Sequence, residues 1–235
     1  MTRAILTPLV AALALLLLGA CAQKPIEVTF VDHIKADLIE QDVFVEKTVG
    51  SGEVYRINPD EFDTYKNAPV FATTKVVHHA PFNADHNGPY AKGRALGMSL
   101  ADWLSASGNA TYVCKRDKGR IDASFTKLVP NGTYTLWYAF AGKAHMGCKD
   151  CPFSTVDFPM GAPDGSQSVF QADGSGSADF GLDFSPCLEL TGERLMAMLA
   201  IAYHSDGNTY GPGPGPFGIG SHVQLFAGLP EKDAK

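Results

Sequence analysis

The densest set of side chains able to do chemistry lies near the C-terminus. Tyr203-His204-Ser205-Asp206-Gly207-Asn208-Thr209-Tyr210 runs into an alternating Gly/Pro tract from Gly211 to Pro216, and His222 follows. An apolar run from Leu195 to Ala202 delivers His204 and Asp206 to the start of this loop, and His222 returns at its far end. Two imidazoles and a carboxylate brought together at a sheet edge suit Zn²⁺ or Cu²⁺. The plainer alternative is that His204 bonds backbone to pin a long loop and Asp206-Gly207 is a turn. Proline fixes φ where glycine frees it, so the tract reads as a partly stiffened loop longer than two strands need. Tyr203, Tyr210 and Phe217 give it aromatic surface for binding.

Other groups are weaker. His78, His79 and His86 bracket a second loop with Asp85, but adjacent residues on a strand point to opposite faces. His145-Met146 lies beside Cys148-Lys149-Asp150-Cys151, a second place for copper or zinc. Cys114, Cys148, Cys151 and Cys187 read first as two disulfides with three possible connectivities. Pro152 stands where a haem-attaching CxxC needs His, and no second CxxC completes a zinc ribbon. Asp164-Gly165-Ser166 and Asp173-Gly174-Ser175 read as plain turns lacking the ligand ladder of a calcium loop. The sequence has no Gly-x-Ser-x-Gly elbow, His-Glu-x-x-His helix, P-loop or dinucleotide fingerprint. Enzyme is therefore the minority expectation, and no cofactor is required.

Several short β-rich runs must position these groups. They are 28–31, 43–49, 70–77, 110–114, 121–128, 133–141, 177–184, 195–203 and 222–226, separated by Gly/Pro/Asn/Asp turns. Val129-Pro130-Asn131-Gly132 reads as a hairpin turn. Residues 32–41 read as a short helix capped by Asp32. Ser99 to Ala106 is a better one, with Ser99 as cap, Asp102 in the first turn, and Leu100, Trp103 and Leu104 on one face. The fold expected is an antiparallel β-sandwich with one short helix at about 99–106 and an N-terminal extension.

The chain has 235 residues, 45% hydrophobic and 19% charged, with a net charge of −6. That is enough for a core and too apolar for disorder. An acidic balance without Lys/Arg runs excludes a nucleic-acid footprint.

A single basic residue, Arg3, precedes an apolar stretch from Ala4 to Leu18, too short to span a bilayer. It ends Leu18-Gly19-Ala20-Cys21, which resembles the lipobox of bacterial lipoproteins. The resemblance implies cleavage before Cys21, lipidation of its thiol and attachment to the cell envelope. Ala22 after the Cys favours the outer membrane where the cell has one. Residues 1–20 are then a signal peptide, 21–69 an anchor and extension, and 70–235 the sandwich. The passage from Phe125 to Trp137 and the turn from Phe170 to Gly176 resemble those of exported bacterial β-sandwich proteins, a resemblance that carries a fold and no activity. The leading expectation is a lipid-anchored, non-enzymatic binding module using residues 203–222 to take an envelope partner or small ligand. The alternative is a Cu/Zn metalloprotein, for metal handling or superoxide dismutation, built on His204, His222 and a third His. The dense His-x-His spacing usual in such dismutases is missing. A purely structural envelope component is the third class.

Overall fold

The computed structural model describes residues 24–36, 42–77, 87–142, 154–192 and 196–231. Cys21, His78, His79, Asp85, His86, His145, Met146, Cys148 and Cys151, along with residues 1–20, lie outside them. The described chain is mainly β, in three antiparallel sheets. One sheet runs β1 (Ile26–Phe30), β6 (Ser107–Lys115), β7 (Lys118–Thr126) and β11 (Ala178–Phe184). The second runs β10 (Val169–Gln171), β8 (Thr133–Gly142), β12 (Met196–His204) and β13 (Ser221–Gly228), with β9 (Ser154–Pro159) also on β8. The third orders β2 (Phe44–Val45), β4 (Pro69–Thr73), β5 (Tyr90–Ser99) and β3 (Glu53–Val54). No helix among the described residues is long and apolar enough to cross a membrane.

The first two sheets face each other as a sandwich. β7 shows why: strict alternation buries Ile121, Ala123 and Phe125 and leaves Arg120, Asp122 and Ser124 outside. Those inner residues meet Leu136, Leu199, Ile201 and Leu225 of the second sheet in one apolar core. β1 closes one edge, where Val31 and Phe226 exchange backbone bonds of 2.8 Å each. Residues 26–30, which the sequence assigns to an extension, are thus a strand of the sandwich, and Val28 and Phe30 are in its core. Within 43–57, β2 and β3 belong to the third sheet, and Val43, Val45 and Ile57 lie in its core.

The helix α2 (Leu100–Leu104) forms where the sequence places it; a single turn, α1 (Phe62–Tyr65), precedes it. The Ser99 hydroxyl accepts the Asp102 N–H at 3.1 Å, and the Asp102 carboxylate accepts the Ser99 N–H at 3.1 Å. Leu100, Trp103 and Leu104 are buried against the third sheet. Asp32 caps only a turn over 33–36, accepting from the Ile34 and Lys35 N–H groups, and the remainder of the expected helix lies outside the described residues.

The expected hairpin at Val129–Gly132 is corrected. Its turn bond is present, Gly132 N–H to Val129 carbonyl at 2.9 Å, and Asn131 has φ of 56°. The two strands it joins, β7 and β8, belong to different sheets, so the turn is a crossover. Asp164 and Asp173 close side-chain turns onto Ser166 and Ser175, as expected, and those bonds hold both carboxyls below the usual range. Cys114 is bonded to Cys187, which ties the end of β6 to the segment after β11.

Candidate functional site

β12 is a mostly apolar run buried on both faces from Ala197 to Ala202, which suits a central strand between β8 and β13. It ends at Tyr203-His204, and a tight turn follows, closed by the Gly207 N–H on the His204 carbonyl at 3.0 Å. The chain returns along β13 in a register that pairs Tyr203 with His222 and His204 with Ser221. Opposed residues of an antiparallel pair share a face, and neighbours along a strand do not. His204 therefore lies on one face of the sheet and His222 on the other. A register shift after Ile201 leaves Gln224 as the extra residue, turned inward to accept the Tyr134 hydroxyl and donate to the Trp103 carbonyl.

His204 continues the outer-face row Met198, Ala200, Ala202, beside Trp137. It is 2% exposed. Its Nε2 lies 2.7 Å from the Thr135 hydroxyl, which also accepts the Trp137 indole N–H at 2.6 Å. Among the described residues its buried Nδ1 has no hydrogen-bond partner. Burial pushes this imidazole down to about 4, with Asp206 pulling weakly the other way. At neutral pH it is an uncharged packing residue.

His222 sits at the centre of a different network. Nδ1 faces the Asp42 carbonyl at 2.6 Å, and Nε2 faces the Ser205 hydroxyl at 2.7 Å. Ser205 Oγ in turn accepts from Nη2 of Arg94 at 2.6 Å. The Asp42 carboxylate accepts the Val223 N–H at 3.0 Å and lies 3.9 Å from the Arg56 guanidinium, both side chains fully buried. Arg56 is itself stacked near the Phe44 and Tyr90 rings and donates to the Tyr90 hydroxyl. His222 is wholly buried, and that burial holds its pKa below the ordinary histidine value despite the Asp42 contacts; Arg94 adds to the lowering. The network runs from an exposed guanidinium on β5, through a half-buried serine, to a neutral imidazole inside the protein.

The loop beyond Ser205 is built, not slack. The Tyr210 hydroxyl donates to the Asp206 carboxylate, whose other oxygen accepts the Asn208 N–H at 3.0 Å. Gly220 makes room for that pair, since a Cβ there would lie 2.4 Å from the Tyr210 hydroxyl and 2.5 Å from the carboxylate. Further on, the loop is clamped to the third sheet by Thr73 N–H to Gly218 carbonyl at 2.7 Å and Val77 N–H to Phe217 carbonyl at 3.2 Å. Tyr203, Tyr210 and Phe217, the aromatics the sequence offers for binding, are half-buried. Tyr203 packs against the Trp103 and Tyr134 rings, Tyr210 beside His204, and Phe217 against two of the apolar clusters. Beside these packed aromatics, exposed Arg94 of β5, exposed Asp206 and half-buried Ser205 offer polar chemistry.

The sequence expectation of a metal held by His204, Asp206 and His222 meets a different geometry. The imidazoles are on opposite faces, His222 has both nitrogens engaged, and His204 has one engaged. Among the described residues no group of three or more His, Cys, Asp or Glu is arranged to hold a metal ion. The Arg94–Ser205–His222–Asp42 network is what sequence reading missed. Ser205 stands in the polar cluster that reading found, but Arg94 and Asp42 come from segments with no motif around them.

Neither a protein-family model nor a curated protein matches the chain. Among solved structures, a Cu/Zn superoxide dismutase from Brucella abortus is similar, with a TM-score of 0.26 and 16% identity over 59% of this chain and 90% of that one. At that TM-score the likeness carries no argument about what this chain does.

Proposed function

We propose that the protein is a binding module, lipid-anchored through Cys21 in the cell envelope, that holds a small carboxylate-bearing ligand at the Arg94–Ser205–Asp206 surface. One observation carries the reading. Arg94 is exposed yet fixed by its bond to Ser205, and among the described residues that hydroxyl is its one hydrogen-bond partner, so guanidinium donors remain for a ligand oxygen. A fixed fork costs less ordering entropy on binding than a free surface arginine.

Titration of the isotope-labelled protein with acetate and with succinate tests this by NMR. Shifts should centre on the Arg94 side chain, Ser205 and Asp206 and vanish in Arg94→Gln. No response to either acid, or an undiminished one in Arg94→Gln, sinks the reading. Stoichiometric copper or zinc in the purified protein, lost in both His204→Ala and His222→Ala, would replace it with the metalloprotein. Cys21→Ala should move the protein out of the membrane fraction; if it stays, the anchor is wrong.

A further inference from the structure

We propose that Ser205 is a nucleophile activated by His222, and that the Arg94 surface is where it attacks small carboxylic esters; the acid product is the ligand class of the preceding reading, on which this inference rests. The direction of the hydrogen bonds is forced. The Asp42 carbonyl can only accept, so the proton of the imidazole is on Nδ1. A neutral imidazole carries one N–H, which leaves Nε2 as the lone pair. Across the 2.7 Å contact the Ser205 hydroxyl must then be the donor. Arg94 donates into one lone pair of Oγ, and the other is left for attack.

These are the relations a serine nucleophile needs: a base within hydrogen-bond reach, and a third group that fixes the base. The third group here is a backbone carbonyl, on a residue whose carboxylate is itself tied to Val223 and faces Arg56. Trp103 and Tyr203 flank the imidazole with ring centroids 6.4 and 6.1 Å away. A serine serving only its own turn bonds to nearby backbone. The Ser205 hydroxyl reaches the Ile219 and Gly220 carbonyls only at 3.5 Å, whereas its short contacts, 2.7 and 2.6 Å, join a base 17 residues away to a cation 111 residues away. It stands one residue beyond the end of β12, in a tight turn at the surface.

In the first step Oγ bonds to the ester carbonyl carbon, the carbonyl electron pair moves onto its oxygen, and the hydroxyl proton passes to Nε2. Arg94, beside Oγ, supplies donors to that oxyanion. Collapse breaks the bond to the alcohol oxygen, which leaves with the proton from Nε2. Water then attacks the acyl-serine by the same route, its proton passing through Nε2 back to Oγ as the carboxylic acid leaves. Water is the one co-reactant.

The test is covalent labelling of the purified full chain with an alkyl fluorophosphonate, located by peptide mass spectrometry. The Oγ–P bond forms, fluoride leaves, and the proton goes to His222. The expected result is one adduct, on Ser205, absent in Ser205→Ala. Arg94→Gln, at an exposed position, should label about 100-fold more slowly. His222→Gln should lose about 100-fold as well; because that residue is buried, its melting curve is measured alongside, and the Arg94 variant decides if it does not fold. No adduct on Ser205 of the wild-type chain, or wild-type labelling in Arg94→Gln, overturns the proposal. Acetate shifts at Arg94 and Ser205 without an adduct overturn the nucleophile and keep the binding module. An adduct without any carboxylate response keeps the nucleophile and overturns the proposed ligand.

Discussion

Lowering the pH from about 7 to about 5 should remove about 2 kcal/mol of folding free energy through His204 alone. The ordinary value of 6.5 describes the imidazole of the unfolded chain, whereas burial beside Thr135 and Trp137 holds the folded one near 4. Protons bind the unfolded state first. Stability is therefore complete above about 6.5, declines as pH falls, and levels off below about 4, where both states are protonated. His222, also lowered by burial, contributes with the same sign. Urea unfolding followed by fluorescence at both pH values gives the total change, and His204→Gln isolates one share of it. Glutamine keeps a polar group near Thr135 but cannot titrate. The loss between pH 7 and 5 should shrink by about 2 kcal/mol in that variant. A loss equal to that of wild type within about 0.5 kcal/mol would show that His204 is not held neutral by its surroundings.

Thr135→Val should cost about 2–4 kcal/mol in the same assay, because it removes the partner of two buried ring nitrogens, on His204 and Trp137, while preserving shape; a cost under about 1 kcal/mol contradicts the bonding described. Replacing Cys114 and Cys187 by serine frees a closure with a sequence separation of 73 and should cost about 4 kcal/mol in denaturant unfolding, against no change if the pair is not bonded. Gly220→Ala should separate Tyr210 from Asp206. The Tyr210 phenol, pushed up to about 12 by burial and then by that carboxylate, should move back toward its ordinary value in ultraviolet titration; an unmoved curve means the pair survives.

Much of the fold was legible because burial writes a period into a strand. The alternation of Ile121, Ala123 and Phe125 marks β7 without help from anything distant. The strand β5 was not legible. Its sequence, from Tyr90 through Lys92-Gly93-Arg94 to Ser99, has two glycines, two cations and little β preference. Tertiary pairing makes it a strand: it lies between β4 and β3 with two register shifts, and a Cβ on Gly93 would come within 2.6 Å of the Thr73 carbonyl oxygen. The same limit explains the crossover at Val129–Gly132. Asn-Gly specifies a reversal and a positive φ, and both occur, but which sheet the next strand joins depends on partners far along the chain.

The site divides along the same line. That His204 and His222 flank the ends of one loop follows from the apolar run before one and the strand after the other. That they face apart follows from cross-strand register, set by a bulge at Gln224 and by side-chain bonds to Tyr134 and Trp103. Register reverses the chemistry inferred from the same residues. With both imidazoles on one face they would be a ligand pair. With one turned into the protein against Asp42, its remaining lone pair meets Ser205 instead of a metal, and the loop's serine, unremarkable in sequence, becomes the group between a base and a cation. An Asp42 substitution that spares the backbone carbonyl makes the consequence testable. Asp42→Asn keeps the Nδ1 partner and should preserve fluorophosphonate labelling of Ser205 wherever the chain still folds. A folded Asp42→Asn protein that no longer labels would show that the carboxylate, not the carbonyl, governs His222.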